Sequence, residues 1–159
     1  MKTITLKLDI NEIVYDVQNK TYLTGRSRRD GTNHQQVASM QANDDDENSA
    51  QVLRSVTTAF AILRTKLAEY IEEGASTATN APLETGSEMQ LILTMPSNFN
   101  SGASATIGEA AHQFIVGMAI AEWFTITDKS DAADYMTMAN ESLKVIEEAI
   151  NKRVRPVRC

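Results

Sequence analysis

Two short stretches of the chain have a period of two in their apolar residues, strictly in the first and with Ile92 as an exception in the second. The first is Thr3 to Ile10, and the second is Glu88 to Met95, which Pro96 closes. A period of two places successive side chains on opposite faces and is typical of a half-buried strand. Because two strands alone do not form a stable sheet, we expect them to pair with each other and to lie on helices.

After the first strand, apolar residues recur at intervals of three and four, which is the spacing of one helical face. Asp9 or Asn11 can cap this first helix, because their side chains accept hydrogen bonds from unpaired backbone N–H groups. The pattern is lost around Gly25, where glycines and charged residues take over. One short helix at most is expected between this point and the next long helix.

The second long helix is predicted after the acidic run of residues 43–48, since negative charge stabilises the start of a helix. Its apolar stripe continues through Tyr70 and Ile71, and Gly74 is its predicted end. Residues 75–82 have the composition of a loop.

The third and fourth long helices follow the second strand. The third, from about Ser104 to Ile126, is apolar around much of its circumference and should be the most buried. The fourth begins at a cap, Asp128 or Ser130, and ends before Pro156. Their tight connection makes them antiparallel neighbours. The pattern therefore predicts a mainly α fold, a four-helix bundle with a small two-stranded β element.

The segment that follows the fourth helix is short and basic. Its cationic residues and its proline are Lys152, Arg153, Arg155, Pro156 and Arg158. The whole chain has a net charge of −6, so removing these four positive charges leaves −10 for the rest. We expect residues 1–152 to form the helical bundle domain with its N-terminal strand, and residues 153–159 to form a basic C-terminal arm. An acidic body and a basic arm favour head-to-tail, ring-closing association of identical copies.

With 159 residues, 42% of them hydrophobic, the chain is long enough for one domain with a real core. No apolar run approaches the roughly 20 residues that span a bilayer, and no signal peptide is visible, so we expect cytoplasmic synthesis and no contact with a membrane. Cys159 is the single cysteine, which excludes an intramolecular disulfide and a cysteine metal site; its terminal thiol is interpreted as incidental.

Glu109 and His112 have the Glu-x-x-His spacing that directs two metal ligands inward in ferritin-like bundles. Such a site needs a second Glu-x-x-His pair and two further carboxylates, and the other histidine, His34, lies in a predicted loop. A lone helical histidine is more often a hydrogen-bonded packing residue. Nucleophile motifs and nucleotide-binding glycine patterns are lacking as well. We predict neither enzymatic activity nor a cofactor, and a helical metalloprotein is the third functional hypothesis.

Arg26, Arg28 and Arg29 form a second basic cluster and a candidate secondary contact. Arginines bind carboxylates and phosphates on other molecules, whereas a solvated loop is the alternative interpretation. A helical binding or DNA-contacting regulatory module that acts through these arginines is the second hypothesis. Aromatic residues are not interleaved with them, which disfavours binding of a single strand.

A further set of segments shares one resemblance. They are residues 95–100 (MPSNFN), 111–116 (AHQFIV), 122–127 (EWFTIT) and 152–158 (KRVRPVR), with the opening strand and residues 21–26 (TYLTGR). Together they resemble small helical neck proteins of tailed bacteriophages and prophages of gut bacteria, the head-tail connector or adaptor class. The resemblance spans most of the chain.

This resemblance implies a virion structural protein of the phage neck, made in the cytoplasm of the bacterial host. Its subunits would form a homo-oligomeric ring, often a dodecamer, that docks under the portal protein, contacts other neck or tail proteins and carries DNA without sequence-specific binding. Connectors often use a terminal arm to grip the portal or the next subunit. The resemblance would assign that contact to Lys152, Arg153, Arg155, Pro156 and Arg158, while the level of the ring (adaptor, stopper or tail completion) stays open.

Overall fold

The computed structural model of the protein describes residues 1–72 and 78–158. In chain order, the strands and α-helices of these residues are β1 (Lys2–Asp9), α1 (Ile10–Ser27), α2 (His34–Met40), α3 (Asp46–Lys66), β2 (Glu88–Met95), α4 (Ser104–Thr127) and α5 (Lys129–Ile150). The predicted class, mainly α with a small two-stranded β element, is confirmed. The predicted helix end at Gly74, the loop residues 75–77 and Cys159 lie outside the described residues.

The two strands pair with each other in antiparallel fashion, as predicted. Their register runs from Lys2 opposite Met95 to Asp9 opposite Glu88. Alternate side chains turn inward on both strands, and β1 contacts α4. Asp9 then caps α1, because its Oδ1 atom accepts a hydrogen bond from the backbone N–H of Asn11 at 2.8 Å.

The central helix of the fold is α4. Helices α1, α2, α3 and α5 and strand β1 all contact it. Twelve of its 24 residues are buried, and a helix covered on several sides is apolar around most of its circumference. The indole N–H of Trp123 donates to the backbone oxygen of Met40 at 2.7 Å and links α2 to this core. In the part of the chain that is described, no helix has the length and apolar character needed to cross a membrane.

Helix α5 packs antiparallel along α4, with Asp128 as the only residue between them. Close to this link, the rings of Phe124 and Tyr135 lie with their centroids 5.5 Å apart. Farther along, Gly117 faces Ala139, and a Cβ atom at Gly117 would lie only 3.1 Å from the Ala139 Cβ atom. The two helix backbones therefore approach closely at a position where a larger side chain would collide.

Helix α3 ends at Lys66, so the prediction that it continues through Ile71 is wrong. A 3₁₀ turn at residues 68–70 follows, and Ile71 then forms an isolated antiparallel bridge with Leu93 of β2. The backbone N–H of Glu72 also donates to the carbonyl oxygen of Ile92 in β2 at 3.3 Å. This backbone pairing with the strand edge replaces helical hydrogen bonds, although the apolar residues keep their helical spacing.

Replacement of Gly117 by Val is expected to lower the free energy of unfolding by about 1–3 kcal/mol, because the branched side chain overpacks the contact with Ala139. Gly108 lies on the same helix, and no described atom lies within 4 Å of a Cβ built there. Gly108→Val should therefore change the free energy by less than about 0.5 kcal/mol. Urea denaturation measures both variants, and equal losses would contradict close packing at Gly117.

Asp128 caps α5 through Ser130, whose hydroxyl and backbone N–H donate to its Oδ1 atom at 2.6 Å and 3.1 Å. These hydrogen bonds lower the pKa of Asp128 below its ordinary value of 3.8. The carboxylate therefore stabilises the fold above that ordinary pKa, and the contribution is lost as pH falls through the lowered folded-state pKa.

We expect Asp128→Ala to reduce the free energy of unfolding by about 1 kcal/mol at neutral pH. The loss should shrink as pH falls below 3.8 and through the lowered folded-state pKa, because the carboxyl group then becomes protonated in the folded chain as well. Urea midpoints of the two proteins over a series of pH values provide the measurement. A loss that does not depend on pH would contradict the charged cap.

Candidate interaction surfaces

The basic C-terminal segment starts by pairing with its own chain. The backbone oxygen of Lys152 accepts a hydrogen bond from the N–H of Asn100 at 3.0 Å, and the N–H of Val154 donates to the carbonyl of Asn98 at 2.9 Å. Together these bonds form an isolated antiparallel bridge centred on Arg153. The backbone of residues 152–154 is therefore attached to the bundle.

Arg153 also uses its side chain within the chain. Its guanidinium Nη1 donates to the carbonyl oxygen of Ile150 at 2.7 Å. Ile150 is the last residue of α5, where unpaired carbonyl groups and the negative end of the helix dipole favour a cation. Arg153, predicted as an interaction residue, thus caps its own helix, and α5 ends before Pro156 because the chain turns into the bridge.

The remaining residues of the segment extend beyond the bundle. Residues 155–158 are all exposed, and Val157 is 87% exposed. Among the described residues, neither Arg155 nor Arg158 has an ion pair with a carboxylate. We call residues 155–158 the free arm. The predicted boundary after residue 152 stays a prediction, and the last backbone bond to the bundle is made by Val154.

The second basic cluster is divided by the structure. Arg28 pairs its guanidinium with the carboxylate of Asp131 in the first turn of α5, which raises the pKa of Arg28. The Asp131 side chain is only 5% exposed; Arg28 bonds to its Oδ1 atom, and its buried Oδ2 atom has no hydrogen-bond partner among the described residues. Arg28 therefore neutralises a buried carboxylate of its own chain and is a poor candidate for an external contact.

Arg26 and Arg29 stay at the surface, with no ion pair among the residues that are described. Together with Tyr22 and His34 they line a depression of about 140 Å³. Tyr22 and Arg26 are four residues apart, a spacing that places them on one face of α1, and Arg29 lies just beyond the end of that helix. This spacing was the available signal for grouping the tyrosine with the arginines, and only the arginines were singled out from the sequence.

A close contact between α1 and α2 at a glycine forms this depression. Gly25 lies inside α1, which continues to Ser27, and a Cβ atom at Gly25 would lie 3.2 Å from the backbone oxygen of Val37. The missing side chain lets α2 approach the last turn of α1. Gly25, around which the helical pattern is lost in the sequence, is therefore a packing position of α1.

The Glu-x-x-His pair makes two separate contacts. The Nε2 atom of His112 is hydrogen-bonded to Oδ2 of Asp16 on α1 at 2.5 Å. Oε1 of Glu109 accepts a hydrogen bond from the side-chain amide of Gln113 at 3.0 Å. In the described ranges, no group of three or more His, Cys, Asp and Glu side chains could hold a metal ion. His112 thus joins α4 to α1, through a partner that sequence spacing did not indicate.

A groove of about 370 Å³ lies between α1 and α5, with α4 as its floor. At one end, the hydroxyl groups of Thr24 and Tyr135 join the two helices at 2.6 Å. Beyond this contact, two apolar side chains of α5 are left open to solvent: Met138 is 51% exposed and Val145 is 41% exposed. We call this surface the α1–α5 groove.

One carboxylate and one cation line the α1–α5 groove, and a second carboxylate lies beside it. Glu141 lies along it, and Glu109 lies in an adjoining depression that shares Val145 with it. Lys20 is also present, but its Nζ atom donates to the side-chain oxygen of Gln113 at 3.1 Å. The groove therefore combines exposed apolar side chains with carboxylates.

Comparisons with known proteins identify no family for this chain. No protein-family model matches it, and no curated protein or solved structure is significantly similar to it. The functional proposal therefore depends on the surfaces described above and on the segments that carry the resemblance.

Arg28→Gln is expected to destabilise the fold, because it leaves the buried carboxylate of Asp131 without its partner. Arg26→Gln and Arg29→Gln remove the same charge from exposed positions and should change the free energy of unfolding by less than about 0.5 kcal/mol. Urea denaturation of the three variants ranks them. A loss in Arg28→Gln no larger than in the other two would contradict a structural role for this pair.

Proposed function

We propose that the protein is a structural subunit of the neck of a tailed phage, a head-tail connector that forms a ring with copies of itself. The observation that carries the proposal is the free arm, a basic segment that leaves the bundle after its last backbone bond. The same molecule presents an open groove of complementary chemistry. The resemblance of several segments to connector proteins supports the class.

The α1–α5 groove suits the free arm in both apolar and charged contacts. Val157 lies between Arg155 and Arg158, and the groove offers two half-exposed apolar side chains beside Glu141, with Glu109 in the adjoining depression. Full burial of one valine contributes about 1.5–3 kcal/mol. Arginine–carboxylate pairs add directionality, because the planar guanidinium group forms paired hydrogen bonds with a carboxylate. The arm of one copy would therefore bind the groove of the next.

Such a contact is heterologous, since the arm and the groove are different surfaces of the same chain. Each copy donates one arm and accepts one arm, so the contact repeats from subunit to subunit. A repeated heterologous contact closes into a ring when its rotation divides a full turn. The resemblance to connectors implies a closed ring, often of twelve copies.

The charge of the chain also suits a neck. The whole chain has a net charge of −6, and seven of its 15 lysines and arginines lie in the two basic clusters. An acidic wall repels phosphates, so DNA can pass along it without being held. In this proposal, the ring docks under the portal protein in the virion, and other neck or tail proteins bind its far side. No catalytic step and no cofactor are assigned.

The combined variant Arg155→Ala and Arg158→Ala is expected to weaken assembly at least about tenfold, because two partly buried charge pairs are lost at each contact. Mass photometry over a concentration series measures the ring and the monomer. The matched control is Arg26→Ala with Arg29→Ala, which removes the same charge from another surface and should leave assembly unchanged. A wild-type chain that stays monomeric throughout the series would contradict the ring, and equal effects of the two variants would remove the arm from it.

A further inference from the structure

The surface near the end of α1 carries a second inference, which is independent of ring assembly. We propose that it binds a nucleotide, with the phosphate held by Arg26, Arg29 and His34 and the base stacked on Tyr22 or Tyr15. The inference depends on two adjoining depressions of different chemistry.

The first depression suits a phosphate. Tyr22, Arg26, Arg29 and His34 line it and bring several hydrogen-bond donors to one place, and no carboxylate is among its lining residues. Its volume of about 140 Å³ is far below the roughly 300–1,000 Å³ of sites that enclose drug-sized ligands. An oxyanion is therefore the class of ligand that fits, because arginine pairs with phosphate through parallel hydrogen bonds.

The acidic residue that follows Arg29 is already engaged. Asp30 accepts hydrogen bonds from the backbone N–H of Thr32 at 2.8 Å and from its hydroxyl at 2.9 Å. These bonds, the backbone one first, lower the pKa of Asp30. These hydrogen bonds hold the Asp30 carboxylate within its own loop. Arg26 and Arg29 therefore stay available to an external anion.

The second depression suits a base. It measures about 280 Å³, and its lining residues are Tyr15, Gln18, Asn19, Tyr22 and Gln41. Two of these, Tyr22 and Gln41, also line the first depression, so the two are continuous. Tyrosine rings stack on bases of any sequence, and side-chain amides form hydrogen bonds with base edges. Tyr15 is 62% exposed, so its ring is open to such a contact.

A nearby carboxylate determines the orientation in which a nucleotide would bind. The side-chain amide of Gln18 donates to Oδ1 of Asp44 at 2.8 Å, which places negative charge beside the second depression. A phosphate is therefore favoured at the arginine end and a base at the tyrosine end. Tyr15 and Tyr22 are seven residues apart, about 10 Å along the helix, so a single strand can contact both rings. A free nucleotide contacts only one.

The test measures fluorescence anisotropy of a labelled eight-nucleotide oligothymidine with the full chain at low salt. Three competitors show which chemical group is recognised. They are adenosine monophosphate, inorganic phosphate, and a duplex of the same length. We expect the single strand to bind tightest and the mononucleotide to compete more weakly. Inorganic phosphate and duplex should compete at least about tenfold more weakly than the single strand, because neither offers a free base to stack. A duplex that competes as well as the single strand would overturn the proposal.

Variants assign the binding to this surface. Arg26→Gln with Arg29→Gln should weaken binding at least about tenfold and reduce the slope of log affinity against log salt by about 1.4, for two lost phosphate contacts. Tyr15→Ala should weaken binding at least about fivefold and leave that slope unchanged. The matched control, Arg155→Ala with Arg158→Ala, should retain affinity within about twofold.

Two results would overturn the nucleotide site: an equal loss in the arm variant, or no loss in Tyr15→Ala. Ring assembly is measured separately on the same variants by mass photometry. Failure of the nucleotide site therefore leaves the assembly result intact, and failure of assembly leaves the binding result intact.

Discussion

The burial of α4 on several sides is the constraint on which the rest of the structure depends. This helix is apolar around most of its circumference, so the sheet and four other helices must each cover part of it. Helix α5 covers one side of α4 through the close contact of Gly117 and Ala139. A helix that packs along one line leaves its flanks open, and the α1–α5 groove with exposed Met138 is the result. The candidate binding surface is thus a consequence of core packing.

Local patterns were sufficient for the elements whose boundaries depend on neighbours in sequence. The period of two located β2 at Glu88–Met95, and the two predicted caps, Asp128 or Ser130, located the start of α5, which Asp128 caps. The end of α3 could not be predicted in this way, because Ile71 pairs with Leu93, a residue far along the chain. This pairing is a single isolated bridge, which is too short to leave a periodic signal around Ile71.

The same distinction applies to the candidate surfaces. The sequence pattern identified every arginine of the two basic clusters. It could not show which of these arginines contact their own chain and which stay exposed. Arg28 is bound by Asp131, more than a hundred residues away, and Arg153 caps its own helix. Neither partner is implied by local composition. The alignment of Tyr22 with Arg26 could be predicted from helical spacing, provided that α1 continues through the glycine between them.

The assignment of residues 155–158 to another copy of the chain is open to one direct measurement. Hydrogen–deuterium exchange can be followed on a dilute monomer and on concentrated, assembled protein. We predict that the backbone amides of these residues exchange freely in the monomer and become protected on assembly, while those of α4 are protected in both states. Protection of the same amides in the dilute monomer would show that the arm binds its own chain, and would contradict the assignment.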